Sequence, residues 1–299
     1  MTSAVTADVA RRERGLRQLE LAVNRKLDGL LHGDYQGVVP GAGMDAGGGR
    51  RYDVGDDVRR IDWNLTARSN ETYVRETIAE RELETWIVVD GTASLDFGTA
   101  QCQKRDLAST VTAVFGFLTA RAGNRIGAVV FDGVRTDVVP PRTGRDAVLG
   151  LLHRLERRPP AAAGPGALSD ALRRVQHLAR RRGLVVVVSD LLDASDWPRE
   201  LRALAARHDL VVAHVSDPRE DDLPPVGLLT VVDPETGDLH EVQTASRRFR
   251  SRYAEAALER RTATTAAVRA SGAAYLEVST DRDWMVDVVK FVVAKRRRR

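Results

Sequence analysis

The stretch Thr85–Asp96, reading TWIVVDGTASLD, most restricts the folds open to this 299-residue chain. Its apolar run Trp86-Ile87-Val88-Val89 stops at Asp90-Gly91. β-Branched and aromatic residues bounded by a glycine turn predict a strand buried on both faces. Oxygens then recur at alternate positions, on Asp90, Thr92 and Ser94, and a locally extended turn would aim all three to one side. A carboxylate and two hydroxyls at the end of a buried strand are a donor set that hard cations accept. That end is also where open α/β sheets bind their ligands.

The rest of the chain alternates strands with helices. A helical pattern covers Arg105–Arg121 as an amphipathic helix, and Ile126–Phe131 is a second buried strand. Asp132-Gly133 joins it to Val134–Val139, the signature of a hairpin, so the third strand is expected to run antiparallel. Helices follow at Asp146–Leu155 and Leu168–Arg181, then the most apolar strand, Leu184–Val188, which ends in Ser189-Asp190. Beyond it lie a helix at Leu201–His208, a strand at Leu210–Val215, an exposed hairpin near 228–242, a long helix at Arg247–Ser271, a strand at Tyr275–Val278 and a helix at Trp284–Val293. This order predicts an α/β fold: a doubly wound, mostly parallel sheet with an antiparallel edge strand. The expected domain covers 83–299. An extension over 1–82 precedes it, with a helix starting near Leu16, a glycine-rich segment and a strand at Thr72–Ile78.

Composition excludes several classes. Cys102 is the only cysteine, so no intrachain disulfide forms. The longest charge-free stretch, Leu107–Ala120, is too short to span a bilayer. No apolar core of a signal peptide stands near the start, and a cytoplasmic protein is expected. The net charge of +4 sits in the terminal Lys295–Arg299, without which 41 basic residues face 42 acidic ones. A tail of this kind reads as a solvated terminus or as a contact for RNA or a membrane surface.

Among chemical motifs, no GxGxxG follows the central strand, no phosphate loop is present, and the six histidines form neither HExxH nor a zinc spacing. Ser94 and Ser189 lack a GxSxG elbow and an adjacent base. Asp90 and Asp190 remain. If their strands are neighbours, two carboxylates meet at one rim, an arrangement that calls for a cation or a shared proton. The plainer reading makes both of them caps of nearby helix N-termini. The block Tyr52–Trp63 interleaves aspartates and arginines around a glycine. It reads either as ion pairs locking a turn or as a recognition face anchored by Trp63.

DGTAS resembles the DxSxS motif of von Willebrand factor A-like domains, with Thr92 in the first serine position. The block Tyr52-x-x-Gly55-Asp56-Asp57-x-Arg59-x-Ile61-Asp62-Trp63 is similar to the hallmark of a bacterial branch, the domain-of-unknown-function family fifty-eight. Genes of that branch commonly sit beside a MoxR-type AAA+ ATPase. The resemblance implies a non-enzymatic interaction module, an adaptor or co-chaperone of such an ATPase acting on an unknown protein client. It also implies a metal-ion-dependent adhesion site holding magnesium on Asp90, Thr92, Ser94 and Asp190. The threonine expected after paired glycines is absent from Gly164-Pro165-Gly166-Ala167, which makes that site degenerate. A metal-assisted hydrolase using Asp90 and Asp190 is the enzymatic alternative, and binding of RNA or membrane through the tail is a third.

Overall fold

The computed structural model describes residues 50–53, 57–69, 71–74, 83–157, 168–233, 236–284, 286–288 and 290–291, with residues 18, 20–23 and 25 near the start. Short strands β1 (Arg50–Arg51) and β2 (Tyr73–Val74) pair antiparallel beside the small helix α1 (Trp63–Ser69). The glycine-rich segment, most of the helix expected from Leu16, residues 75–82 and the Lys295–Arg299 tail lie outside the described residues.

The main sheet holds β3 (Glu84–Asp90), β4 (Arg125–Phe131), β5 (Thr136–Arg142), β6 (Leu184–Ser189), β7 (Asp209–Ser216) and β10 (Ala274–Ser279). Their spatial order is β10-β7-β6-β3-β4-β5. Every neighbouring pair is parallel except β4 and β5, the hairpin that Asp132-Gly133 announced. β5 carries Pro140 and Pro141, which cannot donate to a ladder, and it lies at the sheet edge, where that loss is tolerated. The exposed hairpin is a separate two-stranded sheet of β8 (Leu228–Val232) and β9 (Leu239–Gln243).

Alternation along the central strands divides the core in two. Ile87 and Val89 of β3, with Val186 and Val188 of β6, pack with Leu107, Val111, Val114 and Phe115 of α2 (Lys104–Arg121). Trp86, Val88, Val185 and Val187 point the other way. They meet Leu168, Leu172 and Val175 of α4 (Leu168–Leu178) and Leu201 and Leu204 of α5 (Trp197–Ala205). Helices therefore cover both faces, which is why β3 and β6 read as continuous apolar runs.

Two expectations need correction. The helix at 105–121 is not amphipathic. It is buried along most of its length because α3 (Arg145–Glu156) and Val288 and Phe291 close over the side facing away from the sheet. The helix expected at 201–208 starts earlier, at Trp197, where Pro198 occupies a first-turn position that needs no backbone N–H. The long helix, α6 (Arg247–Ala270), ends one residue short of its predicted span, and described residues within 284–291 are helical where the final helix is expected.

One close approach fixes the β3–β6 junction. A Cβ on Gly183 would lie 2.1 Å from the carbonyl oxygen of Glu84, so only glycine lets the two strands start side by side. Gly183→Ala is expected to destabilise the fold by about 1–3 kcal/mol, as overpacking against backbone does. Urea unfolding of the variant with an unchanged m value checks this; an unaltered midpoint would refute it.

Candidate functional site

β3 and β6 are parallel neighbours in a register that sets Val89 against Val188. Asp90 therefore stands beside Ser189, whose hydroxyl donates to Asp90 Oδ2 at 2.6 Å, and Asp190 follows one residue later. Both strands run out at the same rim, and both carboxylates are buried.

The loop after β3 is not extended as the alternate spacing suggested. Asp90 Oδ1 accepts from the backbone N–H of Thr92 at 2.9 Å, closing a turn, and a short 3-10 helix, Ala93–Asp96, follows. The three oxygens still converge, because the tight turn brings together what a straight segment would have aligned. Thr92 Oγ1 donates to Asp90 Oδ1 at 2.7 Å and lies 3.0 Å from Ser94 Oγ. Ser94 in turn hydrogen-bonds Asp190. Asp190 Oδ1 accepts from the N–H of Leu192 at 3.2 Å. Between them, buried Leu191 has φ 57°, a strained conformation for a leucine, and its N–H is held by Ser189 Oγ at 3.0 Å. Both aspartates close turns, and neither caps a helix N-terminus as the plainer reading had it; the four predicted residues form one hydrogen-bonded cluster.

A group absent from the sequence reading completes it. Lys104, the first residue of α2, is fully buried, and its Nζ donates to Asp190 Oδ2 at 2.8 Å and to Glu220 Oε1. Glu220 lies in a short 3-10 turn after β7 and reaches back to the N–H of Asp217. Asp217 ties that turn to the first loop and to the end of β10: it accepts from Thr99 N–H at 2.8 Å and from the hydroxyls of Thr99 and Thr280, each at 2.6 Å. Burial works to raise the Asp217 carboxyl, but the hydroxyl bonds from Thr280 and Thr99 outweigh it and hold the group below its usual range. A lysine at a helix start and a glutamate in a loop follow no motif, so only the folded contacts reveal them.

The charges settle unequally. Burial, then the neighbouring Asp190 carboxylate, pushes Asp90 up to about 7 against the pull of its hydrogen bonds. Burial also works on Asp190, but the Lys104 charge and hydrogen bond outweigh it and hold that carboxyl below the usual range. Lys104 is kept above its ordinary value because Asp190 and Glu220 outweigh its own burial. Burial raises Glu220 despite the lysine. Asp190 is thus the fixed anion, paired with an ammonium, while Asp90 leans toward its protonated form.

As arranged, the donors do not fit the divalent ion that the resemblance implies. Asp190 Oδ2 already carries an ammonium, and the Asp90 oxygens accept from Thr92 and Ser189. Among the described residues no group of three or more His, Cys, Asp or Glu is placed to hold a metal. Gly164–Ala167, where the absent threonine would stand, lie outside them. Among the described hydrogen bonds no imidazole reaches these side-chain oxygens, although His214 pairs with Ser189 in the β6–β7 register. His153 and His177 fall on helices, and buried His214 on β7 sits 2.7 Å from Tyr275 Oη. In the Tyr52–Trp63 block, Asp57 and Asp62 accept backbone N–H groups at turn and helix starts, while Trp63 is exposed.

A family model described as protein of unknown function DUF58 matches residues 48–263. The chain belongs to that family. It is 46% identical over 283 residues, 94% of its length and 89% of theirs, to uncharacterized proteins of Mycobacterium tuberculosis (strain ATCC 25618 / H37Rv) and Mycobacterium bovis. Among solved structures it is similar to the conserved hypothetical protein BatB from Bacteroides thetaiotaomicron, at 14% identity, with 72% of this chain and 99% of that one covered and a TM-score of 0.47. The SpRpn10 VWA domain is similar at 11% identity, with 69% and 93% covered and a TM-score of 0.41. The sheet of this DUF58 chain is mixed and mostly parallel and is flanked by helices, with the DGTAS loop at its rim. Among its described residues no helix is long and apolar enough to cross a membrane.

The elevated Asp90 makes a signed prediction. Its folded value lies above the unfolded one, so the native state holds the extra proton, and stability falls as pH rises from about 4 to about 7. Asp190, held low, contributes its change only below that window. Asp90→Asn mimics the protonated form, so its stability should decline less than the wild type's between pH 4 and 7. Parallel slopes in chemical denaturation across that range would refute the assignment.

Proposed function

We propose that this chain is a non-enzymatic protein-interaction module whose docking face is the C-terminal rim of the sheet. The observation that carries the reading is the composition of that rim. Its buried polar groups are committed to one another, while each of the same two loops also turns one large apolar side chain outward among polar ones. Phe97 and Leu192 are 39% and 41% exposed. They flank the cluster: Leu192 N–H bonds Asp190, and the Phe97 ring centroid lies 6.0 Å from Lys104 Nζ. Exposed apolar anchors around a rigid, satisfied polar centre suit the binding of a protein surface.

Hydrolysis finds less support. Thr92, Ser94 and Ser189 spend their hydroxyls on Asp90, Asp190 and one another, and among the described hydrogen bonds none joins them to an imidazole. An activated nucleophile or a general base within reach would be needed. The partner to which the family resemblance points is a MoxR-type AAA+ ATPase, with a protein client that the pair remodels. In this reading the adhesion site is degenerate and serves as a rigid support for the apolar anchors.

The test uses the full chain as ligand and the MoxR-type ATPase of the same genome as analyte. Wild type is expected to bind it, and the double variant Phe97→Ala, Leu192→Ala to lose about 10- to 100-fold in affinity with no change in Tm. Binding that ignores both substitutions would reject this face. No binding to the ATPase by the wild type would reject that partner.

A further inference from the structure

Lys104 is placed where two physical effects oppose a positive charge. Its side chain is fully buried, and a buried ammonium is costly unless paired. It also opens the 18-residue helix α2, whose N-terminal dipole repels cations. What holds it there is acidic: Asp190 at 2.8 Å, and Glu220 from a different loop. Its backbone N–H is anchored as well, on the carbonyl of Phe97 at 2.8 Å, so the lysine is locked to the loop that carries Thr92 and Ser94. Asp190 is the carboxylate to which the family resemblance gives the second half of a metal site, and Ser94, one of the other expected ligands, bonds that same carboxylate.

A divalent ion drawing on Asp190 would lie a few ångströms from the ammonium on the same carboxylate. In a buried site that repulsion is weakly screened. We propose that Lys104 is the resident cation of this site, a tethered side chain in the place of a divalent metal, and that the rim is assembled without one. The inference concerns the occupant of the site and holds whatever partner the rim engages.

Manganese(II) is the probe, read by the loss of its free-ion electron paramagnetic resonance signal and by Tm. Wild type should show no specific uptake at millimolar ion and no shift in Tm. Lys104→Ala removes the ammonium, opens space and leaves Asp190 unpaired. It should bind at least about tenfold more tightly than wild type and gain about 2–8 °C in Tm with manganese, as a ligand specific to the native state confers. The further change Asp190→Asn should abolish the gain. Wild-type uptake that disappears in Asp90→Asn would overturn the proposal, as would a folded Lys104→Ala that binds no more ion than wild type. Should Lys104→Ala not fold, the wild-type titration decides alone: specific uptake overturns the proposal, and its lack supports it.

Discussion

Two adjacent buried strands that end in carboxylates impose one constraint on the whole rim: like charges brought together out of water must be neutralised or kept apart. The register of β3 on β6 makes the encounter unavoidable, since Val89 against Val188 carries Asp90 alongside Ser189 and leaves Asp190 one step further. The protein treats the two acids differently. Burial and the neighbouring Asp190 raise the proton affinity of Asp90 against the hydrogen bonds from Ser189 and Thr92; Asp190 receives an ammonium. Glu220, Asp217, Thr99 and Thr280 then follow as the framework that keeps the ammonium in place. Asymmetry of this kind is how a buried acidic pair avoids mutual repulsion without a free ion.

Much of the fold was legible because burial on both faces leaves a plain mark. TWIVV and LVVVV could hardly be anything but inner strands of a covered sheet, and Asp132-Gly133 declared its own hairpin. Boundaries were weaker where a local signal lost to a neighbour, as at Trp197-Pro198. The α2 helix misled for a related reason. Its Thr and Ala positions look polar or neutral in sequence, yet α3 buries them, so periodicity understated how central the helix is.

The candidate site was half legible. Asp90, Thr92, Ser94 and Asp190 could be found because strand ends collect chemistry and the residues are near one another in sequence within each loop. Lys104 and Glu220 could not. A lysine opening a helix reads as a solvated charge, and nothing local tells that its chain turns inward to an aspartate 86 residues away. The one clue was negative: a basic residue at a helix N-terminus runs against the dipole, and an unfavourable choice of that sort signals a tertiary contact.

That contact has a kinetic side. Lys104 meets partners 86 and 116 residues along the chain, and Asp217 reaches back 118 residues to Thr99. These contacts join loops that only the pairing of β3, β6, β7 and β10 brings to one rim, so they depend on the sheet being in place. Bonds missing from the transition state leave the refolding speed alone and lengthen the lifetime of the finished molecule. The rim thus acts as a latch: it guards against opening once assembly is over, and a surface that must stay in shape between encounters gains durability from it.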